Sequence, residues 1–283
     1  MSSYLGQFNY QFMRSGGVSA QPDDFQRPEL RRFVFLHGLM GYGLNWRRIA
    51  TGLEPNDIAL VYDQRGHGKS WKPLTGYAPE DYAEDLELIA QELNWDRFYL
   101  IGHSMGGRNA LLYGHRFPER VIKLVIEDIG PEAKPQAVDH YRRMLTSIPT
   151  PFPSKLAAKE FFLNEFPKLP FAKNSPVTLG QYLYSNILDT ESGQADWRFS
   201  KEAILASVVQ GRAKDYWSEL RGLSMPTLII RGEQSGELSS EVYQEMLTQN
   251  PRLQGCVVHN AEHWVHSDQA EDFKRILLEF VNS

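Results

Sequence analysis

Short runs rich in β-branched and aromatic residues alternate along the chain with stretches whose apolar residues recur at helical spacing. "RRFVFLHG" (31–38), "IALVYDQRG" (58–66), "RFYLIGHS" (97–104) and "RVIKLVIEDIGP" (120–131) predict buried strands. Between them, "LNWRRIATGL" (44–53) predicts a short helix. "PEDYAEDLELIAQEL" (79–93) predicts a strong one, with Pro79 and Glu80 near its start and Leu86, Ile89, Ala90 and Leu93 on one face. "GGRNALLYGHRF" (106–117) predicts a helix stopped by Pro118. This βαβα order implies a mostly parallel sheet covered on both faces.

The rhythm breaks between about 132 and 221, where prolines cluster and aromatic residues stand at Phe161, Phe162, Phe166, Tyr182 and Tyr184. It resumes with a strand at 225–232, a helix near 238–249, a strand at 253–259 and a last helix from 268 to about 281. The expected organisation is an α/β core over 1–131 and 222–283, carrying a helical cap inserted at 132–221.

Composition narrows the class without changing this picture. At 283 residues, 42% hydrophobic and 23% charged, the chain has ordinary globular proportions. A net charge of -5 argues against nucleic acid as the main partner, because phosphate binding needs a basic face. The N-terminal "MSSYLGQFNYQFMRSGG" has no basic region followed by an apolar run, and no stretch approaches the length of a membrane span. A lone cysteine, Cys256, excludes an internal disulfide and reads as a small buried strand residue. These features together point to the cytoplasm.

The candidate chemistry centres on "FYLIGHSMGGRNALL" (98–112), a strand running through Gly-x-Ser-x-Gly into a helix. A sharp strand-to-helix turn exposes the Ser104 hydroxyl, Gly102 and Gly106 relieve the crowding, and the helix dipole favours developing negative charge. A serine still needs a base, a group to orient that base, and oxyanion donors. The donors expected are the backbone N–H groups of Met105 and of Leu39, in the loop after the first strand. Around such an elbow the acid and the histidine follow the serine in that order. His37 and His67 precede Ser104 and sit in Gly turns. His103 adjoins it with its side chain directed elsewhere, His115 lies far along the helix, and His140 falls in the insertion. Of the three in "HNAEHWVH", His259 belongs to the strand and His266 leads into the last helix, where a surface role is expected. His263 lies in the loop beyond the strand and is the favoured base, ahead of His266.

"FLHGLMG", "YDQRGHGKS", "GHSMGG", "VIEDIGP" and "EHWVH", in that order, resemble the α/β-hydrolase fold superfamily over nearly the whole chain. "GHSMGGR", "EDIGP" and "HWVH" are more narrowly similar to its small carboxylesterase and thioesterase branch. The resemblance implies hydrolysis of short to medium acyl esters or thioesters by a Ser-His-Asp acyl-enzyme mechanism without a cofactor. Carbon–carbon hydrolysis or a lyase reaction on the same groups, or a ligand sensor on the same fold, stay open as alternatives. Most members place the acid after the next-to-last strand, but that loop reads "RGEQSGEL" and has Ser235 at the acid position. The branch takes its acid from the end of the strand after the elbow, which assigns Asp128 ahead of Glu233 and Glu237. Candidate substrate contacts are Arg108, Trp264, Phe161 and Phe162, although an arginine at position 108 is more commonly a solvated helix residue.

Three short matches carry less. "HNAEH" (259–263) fits a zinc pattern only on a helix, and the segment reads as strand then loop. "GHGKS" has Asp63 where a phosphate loop needs its first glycine, and "GLMGYG" misplaces the glycines of a dinucleotide fingerprint. No metal or nucleotide site is expected.

Overall fold

The computed structural model describes residues 3–17, 27, 29–172 and 176–283. Its strands are β1 (Tyr10–Met13), β2 (Arg31–Leu36), β3 (Asp57–Tyr62), β4 (Phe98–His103), β5 (Val121–Glu127), β6 (Ile187–Asp189), β7 (Ala195–Trp197), β8 (Thr227–Gly232) and β9 (Leu253–Val258). The α-helices are α1 (Arg47–Ala50), α2 (Pro79–Glu92), α3 (Met105–Arg116), α4 (Ala137–Ser147), α5 (Lys155–Asn164), α6 (Pro176–Tyr184), α7 (Lys201–Gly211), α8 (Trp217–Arg221), α9 (Ser240–Gln249), α10 (Val265–Asp268) and α11 (Ala270–Asn282). Seven strands form the main sheet in the order β1-β3-β2-β4-β5-β8-β9, parallel except for β1, which pairs antiparallel with β3. This is the α/β-hydrolase architecture that the motifs implied.

The inner strands are hydrophobic on both faces because both are covered. Along β2, Val34 and Leu36 join a cluster with α2, α3, α8 and α9, whereas Phe33 and Phe35 join the opposite cluster with α1 and α11. The period of two thus delivers alternate residues to two cores. Each buried Leu, Ile or Phe contributes about 1.5–3 kcal/mol relative to exposure.

Between β5 and β8 the chain forms α4 to α8 and the small β6-β7 hairpin. A third apolar cluster unites Met144, Phe152, Phe162, Phe166, Leu183 and Trp197 there, with Met40 from the loop after β2. Tyr216 and Leu220 pack in the first cluster instead, so α8 lies against the sheet side. Among the described residues no helix is long and apolar enough to cross a membrane.

Register positions the chemistry. His103 pairs with Glu127 and Glu127 with Ile230, so β4, β5 and β8 end side by side. The residues after those ends, Ser104, Asp128 and Glu233, therefore share one edge of the sheet. The loop after β9 returns to the same edge.

Candidate active site

Ser104 sits between β4 and α3 with φ 53° and ψ -118°, a conformation that L residues rarely adopt. Such strain costs on the order of 1–3 kcal/mol and persists only where the surroundings enforce it. The glycines enforce it by letting backbone meet backbone. A Cβ on Gly102 would lie 2.3 Å from the carbonyl oxygen of Gly106, and one on Gly106 would lie 2.4 Å from that of Leu36. The Ser104 N–H donates to the Glu127 carbonyl at 2.9 Å, tying the turn to β5. Met105 opens α3, so its N–H is a first-turn amide without an acceptor inside the helix.

Asp128 follows β5, fully buried and also at φ 53°. Its Oδ1 accepts the Gly232 N–H at 3.0 Å, and its Oδ2 lies 2.8 Å from His263 Nδ1. The Ser235 hydroxyl donates a short hydrogen bond to the same Oδ2. A carboxylate only accepts, so His263 Nδ1 carries a proton and Nε2 is left as an acceptor, the tautomer a general base needs. Burial opposes charging of His263. The hydrogen bond and charge of Asp128, with Glu237 and Glu127 beyond, outweigh it and raise the imidazole pKa above its ordinary 6.5.

His266 departs from the expected surface position. It is buried, its ring 4.2 Å from that of Trp46, and both its N–H and its Nδ1 lie 2.9 Å from Glu127 Oε1. Glu127, absent from the sequence-derived site, thereby anchors the loop that carries His263. Charge complementarity across 139 positions was the missing signal, and only the fold brings the pair together. His103 Nε2 donates to the His263 carbonyl oxygen at 2.9 Å, and burial keeps its ring neutral by lowering its pKa. Glu233 is half exposed and meets His259 at 3.0 Å, whereas Glu237 meets Arg212 at 3.0 Å. Neither competes with Asp128 for His263 Nδ1. Among the described residues His103, Glu127 and His266 offer ligand atoms within 4.8 Å of one another, but each is already held by the contacts above. Cys256 is partly exposed on β9 and burial raises its pKa, the opposite of a reactive thiolate.

Two cavities meet at Ser104 and Leu39. The larger, about 280 Å³, is lined by Met40, Met144, Leu179, Tyr182, His263 and Trp264 among others. The smaller, about 30 Å³, is lined by Met105, Ile129, Arg108 and Arg212 among others. Trp264 therefore stands where a substrate contact was expected. Phe161 and Phe162 do not line either cavity; they pack inside the third cluster, because their face of α5 turns toward Phe152 and Phe166. Arg108 is not solvated. It is buried, with Nη1 and Nη2 donating to the carbonyl oxygens of Gly130, Glu132 and Gly211, and burial lowers its pKa to about 10. The Tyr182 hydroxyl donates to the Leu39 carbonyl at 2.9 Å, bracing the loop after β2 from the insertion.

The chain matches the family model described as the alpha/beta hydrolase fold over residues 31–270. It is 25% identical to a 2-(acetamidomethylene)succinate hydrolase of Mesorhizobium japonicum, with 88% of this chain and 87% of the relative covered. It is 29% identical to an sn-1-specific diacylglycerol lipase (ABHD11) of Danio rerio, covering 88% of this chain and 77% of the relative. The solved structure of a marine microorganism esterase superposes with a TM-score of 0.75 at 25% identity, covering 96% and 98% of the two chains. With 240 matched positions spanning the elbow, both neighbouring strand ends and the loop after β9, this chain belongs to the α/β-hydrolase fold family.

Proposed function

We propose that the protein is a serine hydrolase of carboxylic esters, with thioesters chemically within reach, acting through Ser104, His263 and Asp128. Relatives with hydrolase and esterase names support hydrolase activity in general. The observation that carries the finer reading is the 2.8 Å contact between His263 Nδ1 and buried Asp128, beside a strained Ser104 lining the same cavity as His263.

In this reading His263 Nε2 takes the Ser104 proton as Oγ attacks the ester carbonyl. The N–H groups of Leu39 and Met105 hold the oxyanion, each worth about 2.7–4 kcal/mol in comparable sites. Collapse expels the alcohol or thiol, protonated by His263. Water, deprotonated by His263, then releases the acid from Ser104. Asp128 keeps the tautomer and stabilises the imidazolium. The helices between β5 and β8 act as a cap that closes the larger cavity over the leaving group.

The test is hydrolysis of a p-nitrophenyl ester series of rising chain length, with fluorophosphonate labelling. Wild type is expected to turn over at least the short members and to label, and Ser104→Ala to do neither. Absence of both in wild type would sink the reading. Asp128→Asn should lower kcat by roughly 1,000- to 10,000-fold, while Glu233→Gln should leave it near wild type. The reverse order would move the acid to the loop after β8.

A further inference from the structure

We propose that the small cavity beside Ser104 is an anion subsite, in which Arg212 holds the carboxylate at the far end of a short acyl group. This deepens the ester-hydrolase reading and rests on it. The substrate class is then the monoester or monothioester of a short dicarboxylic acid, with a larger apolar leaving group in the other cavity.

An accounting of the polar side chains around the small cavity leads there. Tyr77 donates its hydroxyl to Pro73 and Ser207 donates its own to Ala203, so Tyr82 donates to Ser207 Oγ. Asn109 Nδ2 donates to Gln64, and both Nη groups of Arg108 donate to backbone carbonyls. Arg212 Nη2 donates to Glu237 at 3.0 Å. Arg212 Nη1, in contrast, is buried without a close acceptor, the Tyr141 hydroxyl standing only as a more distant partner of the guanidinium, in a residue only 8% exposed that lines the cavity with Ser104. A guanidinium nitrogen in that position is costly unless an anion or acceptor completes it.

The local charge has the matching sign. Arg108, Arg212 and Lys134 face two carboxylates, Glu132 and Glu237, with Tyr141 as a neutral neighbour of Arg212. One negative charge completes the set. Burial, then Arg212, lowers the Arg108 pKa, while at Arg212 burial is outweighed by Glu237, Tyr141 and Glu132, which raise its pKa, so that Arg212 stays charged. Size sets the length of the acyl group. A volume of about 30 Å³ exceeds the roughly 10–15 Å³ that one water needs, yet admits only a few atoms between the ester carbonyl and the carboxylate. A malonyl or succinyl half-ester meets that limit. A guanidinium fork is also the group that binds carboxylate in two-point fashion.

The chemistry needs no new partner. Ser104 Oγ bonds to the acyl carbon as the bond to the leaving oxygen or sulfur breaks. Water then splits the acyl-enzyme, giving a free dicarboxylate and the alcohol or thiol.

The test compares kcat/KM for monobutyl succinate with that for butyl 4-methylpentanoate, whose branched end has the shape of a carboxylate without its charge. Wild type is expected to favour the succinate ester at least tenfold. That ratio should collapse in Arg212→Met and fall partway in Arg212→Lys, which keeps the charge but not the fork. A wild-type ratio of one or less, or an unchanged ratio in both variants, overturns the proposal. If Arg212→Met fails to fold, Arg212→Lys decides alone. A binding arm stands apart from turnover: calorimetry of monobutyl succinate with Ser104→Ala, alone and with Arg212→Lys. At least tenfold weaker binding in the double variant supports the subsite, and equal binding overturns it. If wild type hydrolyses neither ester and resists fluorophosphonate, the hydrolase reading fails, and the calorimetry still judges the subsite.

Discussion

Ser235 occupies the position where most of the family carries its acid, and in the fold it meets Asp128, the acid proposed in its place. Its hydroxyl donates to Asp128 Oδ2, while its Oγ accepts the Glu237 N–H at 3.1 Å. The sequence exposed the serine at position 235 and the candidate acid at 128, but not their contact, which joins residues 107 apart. The same holds for Glu237. Read as a spare acid, it is an electrostatic neighbour of His263, its own pKa lowered to about 2 because Arg212 and nearby cations outweigh its burial. The consequence is a pH profile. In the proposed mechanism neutral His263 is the active form, and its pKa is raised, so kcat/KM should fall on the acid side through a midpoint above 6.5. Removing the Glu237 charge removes one cause of the rise. Glu237→Gln should therefore shift the acid limb to lower pH, and Glu233→Gln, on the exposed His259, should leave it in place. A limb that moves up in Glu237→Gln would contradict this electrostatic picture.

At the scale of elements, long periodic segments were legible and short or bent ones were not. The helix expected over 79–93 is α2 almost to the residue, since its apolar stripe and Pro79 act together. The pattern at 44–53 resolves into a 3-10 turn, Gly43–Trp46, followed by the short α1. The last helix, expected from 268, begins at Ala270, and Gln269, whose backbone leaves the helical region, separates it from the unexpected short α10. β1 and the three-residue strands β6 and β7 were missed because so few residues carry no readable period. α6 shows what an element contributes beyond packing. Its Tyr182 hydroxyl reaches the Leu39 carbonyl, on the loop proposed to supply one oxyanion donor. Tyr182→Phe removes one hydrogen bond, worth about 0.5–1.5 kcal/mol. If the loop must be held for the transition state, the loss should appear in kcat, by roughly two- to tenfold, with KM for a short ester little changed. A change confined to KM would make Tyr182 a wall of the cavity only.

Across the whole molecule, two apolar clusters sandwich the sheet and a third belongs to the helices between β5 and β8. The sheet was readable from the chain because covered strands need continuous apolar runs. The third cluster was readable only as a density of aromatics, since its members come from α4 to α7, the hairpin and the loop after β2. That difference bears on cooperativity. Phe166 is fully buried in the third cluster, with ring centroids of Phe162 and Phe171 at 5.3 and 5.9 Å. Truncation to alanine should cost about 3–5 kcal/mol, and the cost falls on whichever unit opens with that cluster. Met40 and Leu39 pack on it from the loop after β2, whereas β4 and β5 are held by the other two clusters. Hydrogen exchange of Phe166→Ala should therefore speed up in α5, α6 and the β6-β7 hairpin, and next in the loop at Leu39 and Met40. Amides of β4 and β5 should exchange at wild-type rates. Uniform acceleration through the central strands would instead mean that sheet and insertion open as one unit, and that the packing at Met40 couples them fully.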